Sequence, residues 1–142
     1  MNKALSYLGL AKKAGLLEIG EENTGAAIRG GKARLVLLAR DASDNARRRA
    51  EGFLHGKKTP LITVPFTKEE ISDETGKAGC SMAAFTDIGF AFSFAQTLSD
   101  GSPELDPVLE QLDGEKKRAQ QRRQEANNHE KNKKYGKRRK SV

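Results

Sequence analysis

The sequence predicts an α/β chain in which a single sheet lies between layers of helix, and three observations carry that prediction. Strand and helix signals alternate as β, α, β, α, β, α, β, α after an opening helix, the order expected of a sheet covered by the helices that connect its strands. The stretch "RLVLLA", residues 34–39, is continuously apolar between charged neighbours, as in a strand buried on both faces. Helix starts and stops are marked by capping residues and glycines at spacings that leave only short connections.

Each element follows in order. In "NKALSYLGLAKKAG" the apolar residues Leu5, Leu8 and Ala11 recur at helical spacing, with Asn2 as a cap and Gly15 as a stop. "LLEIG" is a short strand. "EENTGAAIRGG" is a helix opened by Glu21 and Glu22, which suit the positive end of its dipole, and closed at Gly30 or Gly31; Gly25 inside it costs about 1 kcal/mol relative to alanine. After the central strand, "SDNARRRAEGFLHGKK" is a helix capped by Ser43, with Ala46, Ala50, Phe53 and Leu54 on one face and a basic outer side. "PLITVP" is a third strand delimited by Pro60 and Pro65, and "TKEEISDETGKAG" a capped helix running from Thr67 to near Gly76. "MAAFTDI" is the fourth strand and "GFAFSFAQTL" the last helix of the sandwich.

The chain has 142 residues, enough for one compact domain, and its 36% hydrophobic content is low for a chain packed throughout. Charge explains where the deficit lies. Residues 1–98 carry a net +3, residues 99–115 a net −6 and residues 116–142 a net +10. The expected organisation is therefore a folded domain over 1–98, then an acidic linker and a basic tail over 99–142. The linker and tail hold too few apolar residues to offset an ordering entropy of about 1 to 2 kcal/mol per residue. They are expected to be disordered until bound, with a helical stretch between Leu105 and Arg123.

Several function classes are disfavoured. A phosphate-binding P-loop needs Gly, four residues, Gly-Lys and then Ser or Thr, between a strand and a following helix. Counting back from Gly31-Lys32, the first position is Ala26, the residue after Lys32 is Ala33, and the pattern precedes a strand. The dinucleotide fingerprint Gly-x-Gly-x-x-Gly does not occur. Cys80 is the single cysteine, and the two histidines, His55 and His129, make no metal-ligand spacing with it. Neither catalytic residues nor a metal site nor a cofactor is expected. No run approaches the roughly 18 apolar residues of a membrane span, and the N-terminus carries no secretory pattern, so a soluble cytoplasmic protein is expected. A basic balance points toward nucleic acid as partner.

Two stretches, "IGEENTGAAIRGGKARLVLLARDAS" and, further along, "TGKAGCSMAAFTDIGFA", resemble the ribosomal L-seven-Ae/L-thirty-e superfamily. The resemblance covers residues 1–98, most specifically Gly20-Glu21-Glu22, the run from Gly31 to Val36, and Thr86 to Ala91. It implies a three-layer α/β/α sandwich with a four-stranded mixed sheet, and binding to structured RNA, typically a kink-turn. It further implies that Gly20 through Ala26 enters the groove of the RNA, and that the loop at Gly79, Cys80, Ser81 and Met82 covers an unstacked nucleotide. Ribosomal RNA or another kink-turn RNA, and association with the ribosome, are the partners it suggests.

The residue chemistry fits that role. A helix N-terminus offers unpaired N–H groups to phosphate, and Gly20 permits close approach. Asn23 pairs with a base edge in either sense, and a carboxylate at Glu22 accepts from a guanine or cytosine amino group; Met82 offers a deformable apolar surface to a base. The family's polar pair usually runs Asn then Glu, whereas here it is Glu22 then Asn23, and the lysine one turn later falls on Ala26. With Glu21 the element is acidic, and Arg29, Lys32 and Arg40 are the cations available to offset it. Arg47-Arg48-Arg49 is expected to be a solvated helix face, with an RNA contact as the alternative, while "KKYGKRRKSV" is expected to touch nucleic acid, with Tyr135 to stack on a base. The leading functional expectation is a non-enzymatic RNA-binding protein. The alternative is a protein-interaction module whose basic tail binds RNA without specificity.

Overall fold

The structure, a computed structural model, describes residues 3–78, 80–100 and 102–140, with the backbone alone over 130–140. The element order is α1 (Lys3–Lys13), β1 (Leu17–Ile19), α2 (Glu21–Arg29), β2 (Leu35–Leu38), α3 (Asp44–Phe53), β3 (Leu61–Thr63), α4 (Lys68–Thr75), β4 (Met82–Phe85), α5 (Ile88–Ser99) and, after a single 3-10 turn at Pro103–Leu105, α6 (Asp106–Lys140). The cap assigned to Asn2 lies outside the described residues. The caps expected at Ser43 and Thr67 form: Ser43 Oγ accepts from the Ala46 N–H, and Thr67 and Glu70 form a reciprocal capping box that ends at a left-handed Gly76. Asp87, expected inside the fourth strand, instead caps α5, its Oδ2 accepting from the Phe90 N–H, because β4 ends at Phe85.

The four strands form one sheet in the order β1-β4-β2-β3, with β4 antiparallel to β1 and β2, and β2 parallel to β3. It is the mixed sheet of a three-layer sandwich. Strand alternation sorts the side chains cleanly. From β2, Leu35 and Leu37 join Phe85, Ala83 and the α1 and α5 residues Leu8 and Phe94 in the larger core. Val36 and Leu38 point the other way, toward Ala27 and Ile28 of α2 and Ala46 and Ala50 of α3. A strand apolar at every position is thus explained by burial on both faces, in one large cluster on the α1–α5 side and two smaller ones on the α2–α3 side.

α2 packs against α3 through a glycine. A Cβ at Gly25 would sit 2.9 Å from Phe53 Cζ, so any larger residue there would have to displace the Phe53 ring. That contact accounts for a glycine in mid-helix despite its propensity cost.

The acidic segment departs from expectation. Leu112 is fully buried in the larger core, and Leu105, Val108 and Leu109 pack against it. These four residues fall at i, i+3, i+4 and i+7, one apolar stripe on an otherwise charged helix. Average composition hides the stripe; its spacing does not. Lys116 Nζ also lies 4.7 Å from the Phe92 ring centroid, a cation–π contact that ties α6 to α5. The cover of the sandwich therefore continues past Leu98, and the helix expected between Leu105 and Arg123 runs from Asp106 to Lys140.

Candidate nucleic-acid interface

The strand directions define two ends of the sheet. At one, β1, β2 and β3 finish and β4 begins; Gly20 N–H donates to Met82 O at 3.0 Å, and Ala39 N–H to Ser81 O at 2.9 Å. These bonds bring together the α2 start and the β4 entry, which lie far apart in the chain. An open concavity of about 450 Å³ results, lined by Gly20, Glu21, Glu22, Asn23, Ala78 and Ser81. Both elements singled out in the sequence meet in it. Gly79, named with them, lies outside the described residues.

Gly20 fixes the shape of this site. Its backbone stands at φ 99°, ψ 162°, and no side chain caps α2, a conformation essentially confined to glycine. The first N–H groups of α2, in residues that line the concavity, therefore have no capping side chain. Asn23 Nδ2 donates to Ile19 O at 3.0 Å, which orients the amide and leaves one N–H and the Oδ1 acceptor for a partner.

The two glutamates have different fates. Glu21 is ion-paired with Arg49 of α3, whereas Glu22 is exposed and makes no hydrogen bond or ion pair among the described residues. Arg47 donates to Thr63 Oγ1 at 3.0 Å. Of the three α3 arginines, Arg49 is thus the one that reaches the concavity's lining and neutralises one of its carboxylates. The sequence offered Arg49 only with Arg47 and Arg48, as a solvated helix face or an RNA contact, and gave no sign of its pairing with Glu21. Its partner lies 28 positions away, and no local pattern announces such a pair.

The remaining assignments divide. Arg40 follows Ala39 at this end of the sheet and is exposed, beside Glu70. Arg29 and Lys32 are not at the site: α2 carries them to the opposite end, about 13 Å along the helix axis, where the Arg29 guanidinium lies 5.7 Å over the Phe53 ring. They do not offset the glutamates at Gly20. Met82 is also placed differently. Only 1% of it is exposed, and it packs with Leu38, Ala46 and Ala50 in the α3 core. As the first residue of β4 it obeys the strand alternation, which turns it inward while Ser81 stays at the rim. Cys80 is buried too, with its thiol donating to Lys77 O at 3.1 Å. Ala78 and Ser81 are what that loop presents to the concavity. Tyr135 and the terminal basic side chains lie outside the described residues.

Among the described residues no group of three or more His, Cys, Asp or Glu is placed to share a metal ion, and no helix is long and apolar enough to cross a membrane.

No profile of a known protein family matches the chain. Individual relatives do. An RNA-binding protein YlxQ from Enterococcus faecium is 37% identical over 89 residues, which span 63% of this chain and 84% of the relative. The chain belongs to the YlxQ family. The RNA-binding protein YlxQ of Bacillus subtilis is 34% identical over 84 residues, 59% of this chain and 83% of that protein. Among solved structures, a protein of unknown function from Bacillus halodurans superposes with a TM-score of 0.64 at 27% identity, over 70% of this chain and all of that one. A 15.5 kD RNA binding protein from Giardia lamblia matches at TM-score 0.52 and 15% identity, over 76% of this chain and 85% of that one, a likeness of fold alone.

Proposed function

We propose that the chain is a non-enzymatic RNA-binding protein that docks structured RNA, of the kink-turn class, at the concavity between the α2 start and the β4 entry. The observation that carries the reading is the convergence of Gly20, Glu21, Glu22 and Asn23 with Ser81 around one open site. Within it, the uncapped α2 N-terminus receives a phosphate, the oriented Asn23 amide pairs with a base edge, and Glu22 accepts from an exocyclic amino group. Membership of a family whose relatives are named RNA-binding proteins supports it. Neutralisation of Glu21 by Arg49 removes half of the acidity that would oppose a polyanion. Ribosomal RNA is the partner class we favour, and the cytoplasm the compartment.

The test uses the full chain. Fluorescence anisotropy with a kink-turn RNA and a straight RNA duplex at about 150 mM salt should show preference for the kinked RNA. Asn23→Ala should reduce that preference by about 1 to 3 kcal/mol, the range of one bidentate base contact. Equal affinity for both RNAs would overturn kink recognition.

A further inference from the structure

At the other end of the sheet, a separate cleft of about 290 Å³ is formed where α6 passes the turn after β4. Four arginines line it: Arg34 from the α2–β2 connection, and Arg118, Arg122 and Arg123 from α6. Two acids share the lining, Asp87 and Glu115. Asp87 is committed to capping α5 through Phe90 N–H. Among the described residues none of the four guanidiniums is within ion-pair distance of a carboxylate; the two ion pairs present are Arg49–Glu21 and Lys117–Asp113.

We propose that this cleft is a second RNA-binding site that takes backbone phosphates, independent of the concavity at Gly20. The inference rests on the reading that the chain binds RNA. Arg118 and Arg122 are one turn apart on the same face of α6, and Arg34 faces them from the sandwich, held by its own Nη1 donating to Gly31 O at 3.2 Å. Planar guanidiniums with free donors match phosphate oxygens bidentately. Convergence from two elements distinguishes this cleft from a charged helix surface, which would present its arginines to solvent alone.

The chemistry favours a polymer over a small nucleotide. The apolar side chains of the lining are Ile88 and Ala119, which give no aromatic platform for a base. The positive charge does not end at the cleft either: residues 116–142 carry a net +10, and α6 continues to Lys140, roughly 30 Å beyond Arg118. Lys32, in the same connection as Arg34, adds to this end. Such a line of charge suits a row of phosphates. Because the first site reads shape and base edges and the second reads phosphate, the second should add affinity without selectivity.

The experiment measures full-chain binding to a kink-turn RNA and a straight RNA duplex between about 100 and 300 mM salt. Each lost phosphate contact lowers the salt slope by about 0.9 and the affinity near 150 mM by about fivefold. R118Q/R122Q/R123Q should lower the slope for both RNAs by about two to three, and R34Q by about one, with the kinked-to-straight ratio unchanged. K3Q/K12Q/K13Q, of equal charge change on α1, should leave the slope within about half a unit. An unchanged slope in the arginine variants, or an equal loss in the lysine control, overturns the cleft. So does loss of binding to polyglutamate with RNA binding intact, which would assign the cleft to an acidic protein. If the parent chain binds both RNAs equally and the arginine variants weaken both, kink recognition fails and the cleft stands; if it binds neither, both fail.

Discussion

Replacement of Gly20 by alanine isolates the residue on which the shape of the candidate interface depends. At φ 99°, ψ 162° an alanine Cβ meets its own backbone, and residues forced into this region cost about 1 to 3 kcal/mol. Alanine also restricts the unfolded chain, an opposing effect of about 0.4 to 1 kcal/mol that does not rescue an incompatible position. A net loss of about 1.3 kcal/mol follows, or roughly 4 °C in Tm for a chain of this size. Gly76 supplies the control. It also has positive φ, 71°, but lies in the left-handed helical region, where a Cβ would have no atom within 4 Å. Asparagine is tolerated there and not at the Gly20 conformation. Urea denaturation should therefore find Gly76→Asn milder than Gly76→Ala, but Gly20→Asn no milder than Gly20→Ala. If Gly20→Ala stays within about 0.5 kcal/mol of the parent, the range of an ordinary surface substitution, the strained turn does not hold the start of α2.

Three further outcomes are expected. Met82→Ala should destabilise the fold by about 2 to 5 kcal/mol through a core cavity yet leave the kinked-to-straight RNA ratio unchanged; the converse pattern would return Met82 to the binding surface. A double-mutant cycle on Glu21 and Arg49 should give a coupling of about 0.2 to 1 kcal/mol in denaturation, and Arg49→Ala should weaken RNA binding more than the pair Glu21→Gln with Arg49→Ala, because only the former exposes an unpaired carboxylate. Glu70 titrates below its ordinary value of 4.5, chiefly through the Thr67 N–H and then the Thr67 hydroxyl. Its contribution to stability is present above that ordinary value and lost as pH falls through the lower folded value. Thr67→Ala should cost about 1 kcal/mol at neutral pH and, by removing the hydroxyl, shrink the acid-side loss seen in denaturation between neutral and acidic pH.

Much of the fold was legible because its signals are local. Ser43 and Thr67 cap helices through bonds to residues three positions on, and a strand apolar at every position announces burial on both faces. The sequence could also place the candidate site on the α2 start and the β4 entry, through the likeness of those two stretches to a known family. Alternation within β4 was available as well; it turns Met82 inward and leaves Ser81 at the rim, once the strand is known to begin at Met82.

Tertiary structure decided what depends on direction and distance. Strand order sets β4 antiparallel to β1 and β2, and so puts Ser81 beside Gly20 while α2 carries Arg29 and Lys32 to the far end. Residues only a few positions apart thus belong to opposite ends of the molecule. The close approach of α2 and α3 at Gly25 lets Arg49 reach Glu21 across 28 positions, a pairing that charge counting cannot see. Leu112 shows the same division: its helical spacing with Leu105, Val108 and Leu109 was written in the chain, but only a core surface waiting between the sheet and α5 makes that stripe worth burying, because apolar area stabilises only where another apolar surface excludes water from it.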